Sequence, residues 1–313
     1  MAKTSLQKLE KLRGCAWTQQ QCLLLQSYLQ AQNLPSGGTV ELNRLFKKAV
    51  LVTLYCNRMS FVPYKPLDLG IATLQEYAHL PASTADPDAF HFGTSVFASK
   101  EELKYFLTQI WQQPIDEEKP ELGFRPIVCL EYGNGSGSVS AAMWKEIGFD
   151  PAKMDNTIAM LDGQVIAEQA KITRNQFATI DYLLAQFQIS PHACDHAGNT
   201  AAYVIIVAML CALRKHLYQS TQNEKSKPGQ HGQSTSVAAQ VVVNRLMERP
   251  TPAPPTGVEI YCHRCGSHEH KFRQCINTDF ICNGCLLSPV SWKRDNAASH
   301  KEGLCIFRPR FFH

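Results

Sequence analysis

The residues with the clearest chemical potential are the cysteines and histidines near the C-terminus. Half of the twelve cysteines lie after residue 261, spaced C-x2-C-x4-H-x4-C in a first group and C-x2-C followed by H-x4-C in a second. Three thiolates and one imidazole form a closed tetrahedral set for zinc with no position left for water, so such sites are structural rather than catalytic. The predicted ligands of two zinc ions are Cys262, Cys265, His270, Cys275, Cys282, Cys285, His300 and Cys305.

The spacing leaves the pairing of these eight ligands open. In a cross-brace arrangement, Cys262 and Cys265 would share a metal with Cys282 and Cys285. In a sequential arrangement, each group closes on itself. We favour two sequential sites, because the first group closes a short loop and therefore loses little chain entropy.

Residues 262–275 resemble the CCHC zinc-knuckle family of retroviral nucleocapsids and cellular single-strand RNA-binding proteins, and Gly266 directly follows the second cysteine as in that family. Glu269 and His263 depart from the pattern, since the family usually has glycine and an aromatic residue there. The resemblance implies surface aromatics that stack on unpaired bases beside cations that hold phosphates. The matching residues here are Arg264, Lys271, Phe272 and Arg273.

The loop of the second group carries a further aromatic side chain next to two cations. Trp292 is followed directly by Lys293 and Arg294. An aromatic ring beside positive charges suits base stacking together with phosphate contact. The sequence therefore predicts a second nucleic-acid contact within the same C-terminal segment.

A glycine-rich turn over Glu131–Gly137 supports an enzyme hypothesis. Placed between a strand and a helix, it resembles motif I of S-adenosylmethionine-dependent methyltransferases, whose glycines let the backbone approach the cofactor. The chain shows no repeated alternation of strands and helices around it, however, and a sheet of that kind needs several strands. We therefore interpret the turn as a flexible surface loop and assign neither a catalytic residue nor an organic cofactor.

Three further potential ligands, His192, Cys194 and His196, lie within five residues of one another. They could bind a metal or form a Cys-His dyad. The favoured interpretation is structural, because Asp195 or Asn199 is well placed to cap the apolar helix that follows.

The rest of the chain predicts a mainly α-helical body that allows for a small β element, followed by a small C-terminal zinc-binding domain. A capping box, Ser99-x-x-Glu102, precedes apolar residues at helical spacing up to Trp111. Helices are also expected after Thr39 and after Thr173, the latter bearing Phe177, Ile180, Leu184 and Phe187. Residues 63–92 are expected to be irregular around a short helix near 71–77, and residues 124–132 form the clearest strand candidate.

The most apolar segment, Ala201–Leu213, is thirteen residues long and too short to span a bilayer, so it predicts a buried helix and no membrane partner. Polar and proline-rich stretches then divide the chain into a body at 1–218, a linker with a short helix at 219–256 and a zinc-binding domain at 257–313. The zinc-binding domain is expected to be tethered rather than packed on the body.

Composition limits the class of protein and the compartment. Hydrophobic residues make up 44% and charged residues 19% of the 313 residues, which supports a sizeable core, and the net charge is +4. The start has no apolar signal region, and the other six cysteines follow no spacing pattern. These features predict a reducing, intracellular location in the cytoplasm or nucleus, or in a virion.

The order of helical body, polar linker and C-terminal knuckle looks like Gag-type nucleocapsid proteins. The leading hypothesis is therefore a non-enzymatic protein that binds RNA or another single strand, with self-association adding avidity to weak contacts. A methyltransferase-like enzyme that uses the Glu131–Gly137 turn is the second hypothesis. A protein-interaction adaptor that binds its partner through the zinc module is the third.

Overall fold

The computed structural model describes residues 21–33, 46–58, 66–74, 77–81, 87–133, 144–145, 147–175, 177–194, 196–223, 238–262, 264–277 and 279–305. The helices in these ranges are α1 (Gln21–Asn33), α2 (Lys100–Trp111), α3 (Gly163–Gln169), α4 (Ile180–Gln186), α5 (Ala197–Asn223), α6 (Ala239–Met247), α7 (Asn283–Leu286) and α8 (Ser291–Asp295). The strands are β1 (Val50–Arg58), β2 (Pro66–Ala72), β3 (Tyr77–Pro81), β4 (Ile127–Glu131) and β5 (Thr157–Asp162).

The five strands form one mixed sheet in the order β3-β2-β1-β4-β5. Strands β1, β4 and β5 are parallel, whereas β2 runs antiparallel to both β1 and β3. The carboxyl ends of the three parallel strands therefore meet at one edge, which is the edge where open α/β sheets bind ligands. The prediction of a mainly helical body is confirmed only in part, because this sheet is larger than the small β element expected.

Both faces of the sheet are buried, which gives the body three layers. In β4, Val128 and Leu130 pack on the side of α1, α3, α4 and α5, and Ile127 and Cys129 pack on the side of α2. Strands buried on both faces have continuous apolar runs instead of alternating ones. The apolar residues of β1 therefore carried no period-two signal that would have indicated a strand.

One region was assigned wrongly from the sequence, and β1 was not predicted. The helix expected after Thr39 is present at residues 46–48, directly before β1, while residues 34–45 lie outside the described part. The segment expected to be irregular, 63–92, contains β2 and β3 instead of a helix near 71–77. Two of its prolines, Pro66 and Pro81, are the first residue of β2 and the last of β3, positions where a missing N–H is tolerated.

The capping box before α2 is confirmed. The Ser99 hydroxyl accepts the Glu102 amide at 3.1 Å, and the Glu102 carboxylate accepts the Ser99 amide at 2.8 Å. The apolar face that follows reaches the fully buried Trp111, whose indole donates to Thr157 on β5 at 2.8 Å. Local capping and periodicity therefore located this helix correctly.

Helix α5 crosses strands β1 and β2, and it contains the predicted buried segment. Within the described part of the chain, its first 18 residues are the one stretch long and apolar enough to cross a membrane, and 72% of that window is buried inside the protein. The helix starts against β2, where a Cβ added to Gly70 would lie 2.0 Å from the Ala197 carbonyl oxygen. Gly70 therefore lets the sheet and its largest helix approach closely.

The segment predicted as a linker contacts the body through α6 and Thr251. Helix α5 extends to Asn223, and residues 224–237 lie outside the description. Helix α6 buries Val243 in the main core, and its Gln240 accepts the Ser190 amide at 2.7 Å. Further on, the Thr251 amide donates to the Phe92 carbonyl at 2.9 Å. These backbone and apolar contacts replace the free tether expected from composition.

Candidate metal centres and the sheet edge

The first Cys/His group contains a short turn after Cys265, and a backbone amide of this turn donates to the Cys265 thiol. The ligand atoms of Cys262, Cys265, His270 and Cys275 lie within 4.8 Å of one another. Gly266 has φ +81°, a conformation that favours glycine, and its amide donates to the Cys262 carbonyl at 2.6 Å. The next amide, that of Ser267, donates to the Cys265 sulfur at 3.4 Å. The group could hold one metal ion.

The second group is more deeply enclosed. Cys282, Cys285, His300 and Cys305 are all buried, and their ligand atoms also lie within 4.8 Å of one another. Together with Ala297, the three cysteines make up a small separate core. The structure therefore brings the eight predicted ligands together as two sequential groups, and the cross-brace pairing does not occur.

The separations within the groups match a tetrahedral metal site. The Cys265 sulfur lies 3.3 Å from His270 Nε2, and the Cys285 sulfur lies 3.5 Å from the Cys305 sulfur and 3.7 Å from His300 Nε2. Ligands placed tetrahedrally at zinc bond lengths would be about 3.5–3.8 Å apart. Each group is therefore arranged so that one ion can contact all four side chains.

A hydrogen-bond chain orients His300. Its Nδ1 lies 2.8 Å from the Ser299 hydroxyl, which in turn donates to the Asn296 carbonyl at 2.7 Å. Because the Ser299 hydroxyl proton points at the Asn296 carbonyl, the hydrogen bond to His300 must be donated by the imidazole Nδ1–H. The other ring nitrogen, Nε2, is then free of a proton and can bind a metal. Burial lowers the pKa of His300, which favours the neutral imidazole that ligation requires.

The two groups contact each other and the body. The Lys301 amide, beside His300, donates to the Arg264 carbonyl in the first group at 2.9 Å. Phe97 and Val258 exchange backbone hydrogen bonds of 2.8 and 2.9 Å, and the Tyr261 ring lies 5.3 Å from that of Phe97. The C-terminal segment is therefore packed on the body, unlike the tethered arrangement expected.

The predicted nucleic-acid contacts are partly used inside the protein. Lys271 forms an ion pair with Asp88 of the body. The Lys293 ammonium lies 5.6 Å from the Trp292 ring centroid, and the Arg294 guanidinium donates to the Ser288 carbonyl at 2.8 Å. Arg273 is exposed and Arg264 is half-buried, while the Phe272 side chain lies outside the described residues. A nucleic-acid role for these seven residues stays a prediction.

At the carboxyl edge of the sheet, Glu131 and Asp162 are register partners on β4 and β5. The Asp162 carboxylate caps α3 by accepting the Gln164 amide at 2.7 Å. Burial raises the pKa of Glu131, a hydrogen bond from Trp144 opposes this, and the charges of Asp162 and Asp150 raise it further. Residues 134–137 of the glycine turn lie outside the description.

The His192–His196 segment holds the start of α5 in place. His196 is buried and stacks on Phe90, with ring centroids 5.7 Å apart. The Thr200 hydroxyl reaches the Cys194 carbonyl at 2.6 Å, and the Asn199 amide donates to the Ala89 carbonyl at 2.8 Å. Within the described ranges, the two Cys3His groups are the only sets of three or more such side chains close enough to share a metal.

Sequence reasoning missed an open cavity of about 640 Å³ beside α3 and α4. Phe177, expected on a helix capped by Thr173, lies before α4 and is 74% exposed, because α4 begins only after the Thr179 cap. Lys171, Arg174 and Tyr182 also line this cavity. The interleaving of cations and aromatics over residues 171–182 was the signal that could have identified it.

In the comparison with known proteins, the body matches a family model, whereas the two C-terminal Cys/His groups lie outside the match. Residues 72–211 match the family model described as DNA polymerase III subunit epsilon-like, C-terminal domain. The match covers less than half of the chain and runs from the end of β2 into α5. No curated protein matches the chain.

This match corrects the functional hypotheses drawn from the sequence. The identification with the CCHC zinc-knuckle family was wrong, because the matching model is that of an epsilon-like domain and lies outside residues 262–275. The non-enzymatic, nucleocapsid-like RNA-binding protein of viral type is overturned by the same finding. The methyltransferase and adaptor hypotheses do not agree with it either. The errors arose because the Cys/His spacing, the clearest motif in the sequence, occupies a small C-terminal segment, while the body contains no short motif that identifies its family.

Proposed function

We propose that this chain is an exonuclease-like protein that acts on DNA. The observation that carries the proposal is the match of residues 72–211 to the polymerase III epsilon-like model. The region includes β4, β5 and most of α5, and so it includes much of the sheet edge at which open α/β folds bind ligands. The nucleic-acid class that the match supports is DNA rather than RNA.

Exonuclease-like domains of this kind use Mg²⁺ or Mn²⁺, and hard cations of this type require several oxygen ligands that converge on one point. Strand β1 and helix α5 contain no aspartate or glutamate. The two described acids at the carboxyl ends of β4 and β5 already have other partners. Asp162 caps α3, and Glu131 accepts a hydrogen bond from the Trp144 side chain. The described residues therefore do not fit a two-metal centre, and no hydrolytic step is derived from one.

Zinc is the metal we infer for the two Cys3His groups. Three thiolates with one imidazole suit zinc far better than Mg²⁺ or Mn²⁺, which prefer oxygen ligands. The sulfur–nitrogen and sulfur–sulfur separations of 3.3–3.7 Å support this assignment. With all four positions filled by protein, each ion would have a structural role.

The test is a binding and cleavage assay with the full, zinc-loaded chain. Fluorescence anisotropy with labelled single-stranded DNA, duplex DNA and single-stranded RNA of matched length measures affinity. Parallel incubations with Mg²⁺ or Mn²⁺ measure release of nucleotides. We expect DNA to bind more tightly than RNA at the same salt concentration. Failure to bind DNA in any form, together with no cleavage, would contradict the proposal.

A further inference from the structure

The loop between α3 and α4 and the first residues of α4 form an exposed surface of cations and aromatic rings. We call the described residues of this segment, 170–175 and 177–182, the 170–182 surface. The Phe177 side chain is 74% exposed and that of Tyr182 is 47% exposed. They line the open cavity of about 640 Å³ together with Lys171 and Arg174, and none of the described residues that line it is acidic. Large exposed rings beside cations indicate a binding surface rather than a solvated loop.

The backbone of this surface is hydrogen-bonded by polar side chains. The Thr173 hydroxyl accepts the Asn175 amide at 2.9 Å, and the Asn175 side chain accepts the Phe177 amide at 2.9 Å. At its start, the Arg214 guanidinium donates to the carbonyls of Ala170 and Lys171 at 3.1 Å each. A ligand would therefore meet a loop whose backbone is already fixed by hydrogen bonds, which lowers the entropy lost on binding.

The same surface is joined to the carboxyl edge of the sheet. The Ala178 carbonyl accepts the hydroxyl of Tyr132, which directly follows β4. It also accepts the Gln164 side-chain amide, at 2.9 Å, from the first turn of α3 after β5. The 170–182 surface therefore lies next to the edge where a parallel sheet presents its binding crevice.

From this arrangement we infer that the 170–182 surface binds single-stranded DNA, with bases stacked on Phe177 and Tyr182 and phosphates contacted by Lys171 and Arg174. The inference rests on the proposed function, and it specifies the form of DNA and the residues that hold it. Unpaired bases are needed because stacking on a protein ring requires a free base face. Asp181, beside Tyr182, does not line the cavity.

Substitutions on this surface give a quantitative test. Binding of a fluorescein-labelled oligothymidylate is measured by anisotropy over a series of salt concentrations, using the full chain loaded with zinc. Loss of one stacked base weakens binding roughly 5- to 100-fold, so we expect at least this from Phe177→Ala/Tyr182→Ala. For Lys171→Gln/Arg174→Gln, the slope of log affinity against log salt should fall by about 1.4, because each phosphate that a cation neutralises on a single strand contributes about 0.7.

The matched control is Phe124→Ala, which removes a 49% exposed ring that does not line the cavity and should leave binding unchanged. Because Phe177 is so exposed, its removal should not alter the thermal unfolding midpoint. As a measurement on the unsubstituted chain, photo-crosslinking to bromodeoxyuridine-containing single strands should modify a peptide that contains Phe177 or Tyr182.

The outcomes separate this inference from the proposed function. The inference is supported if the Phe177→Ala/Tyr182→Ala variant binds the oligothymidylate more weakly while Phe124→Ala binds it normally. If the unsubstituted chain binds DNA and both double variants bind equally well, the 170–182 surface is not the site, although the proposed function stands. If the unsubstituted chain binds no DNA, both are wrong.

Discussion

Glu131 and Asp162 lie side by side at the carboxyl ends of the neighbouring parallel strands β4 and β5, and each carboxylate accepts hydrogen bonds from a different part of the protein. Asp162 accepts two backbone amides of α3, at 2.7 and 3.4 Å, and Glu131 accepts a hydrogen bond from the Trp144 side chain. Paired acids at this edge would ordinarily suggest a metal centre. Here the Asp162 carboxylate caps α3 and the Glu131 carboxylate is half-buried, so both mainly affect the stability of the folded protein.

The first prediction concerns the dependence of stability on pH at Glu131. Its pKa is raised in the folded protein, chiefly by burial, above the ordinary value of 4.5. The folded state thus favours the protonated form, and this contribution is complete below pH 4.5 and is lost as pH rises through the folded pKa. Glu131→Gln keeps an acceptor for Trp144 and cannot ionise, so it should stabilise the protein at neutral pH.

Urea unfolding midpoints at several pH values test this. The stability advantage of Glu131→Gln should shrink on acidification and vanish well below pH 4.5. Glu121→Gln, at an exposed site, is the control and should show no such trend. An advantage that is equal at acidic and neutral pH would show that ionisation of Glu131 is not the cause.

The second prediction is that the chain carries two zinc ions and that Cys305→Ser removes one. The second group has a buried core of only four residues, which is too small to fold without its metal. Native mass spectrometry should give two ions for the unsubstituted chain and one for the variant. Cys56→Ser, on β1 and outside both groups, should retain two. Two ions in Cys305→Ser would contradict the assigned ligand set.

The third prediction concerns the residue that orients His300. Ser299→Ala removes the hydroxyl that lies 2.8 Å from Nδ1, while all four ligands remain. Loss of such an orienting partner typically weakens metal affinity roughly 10- to 100-fold. Competition with a coloured chelator should show one weakened ion and one unchanged ion. The exposed Ser291 provides the control variant Ser291→Ala, and equal affinities in the two variants would rule out the orienting role.

The fourth prediction concerns the contact between β2 and α5. In Gly70→Ala, the new methyl group would meet the Ala197 backbone at 2.0 Å, so the strand and the helix would have to separate. Overpacking of this kind costs about 1–3 kcal/mol or more. The thermal unfolding midpoint should fall by several degrees. Gly303→Ala, whose Cβ would have no neighbour within 4 Å, should unfold at the original temperature.

Local patterns in the sequence were sufficient wherever the interactions that decide the structure are local. The Ser99–Glu102 capping box located the start of α2, and the apolar run after Ala201 located the core of α5. The eight Cys and His ligands were also identifiable, because metal ligation imposes a spacing of a few residues.

Only the tertiary structure decided which segments became strands, because a strand is stabilised by partners far away in the chain. Val50–Thr53 of β1 pair with Ile127–Leu130 of β4, some 77 residues further on. Burial on both faces removed the alternation by which such strands are recognised. The same long-range packing brought α6 and the segment before Cys262 onto the body, where composition had indicated a linker.

The functional assignment followed the same division. The sequence by itself determined the eight Cys and His ligands, since their chemistry lies in residue type and spacing. The tertiary structure decided that these ligands form two sequential sets, that the C-terminal segment contacts the body at Phe97, and that Phe177 faces solvent beside Lys171 and Arg174. The physical reason is that exposure and convergence depend on the packing of distant segments, which residue spacing does not specify.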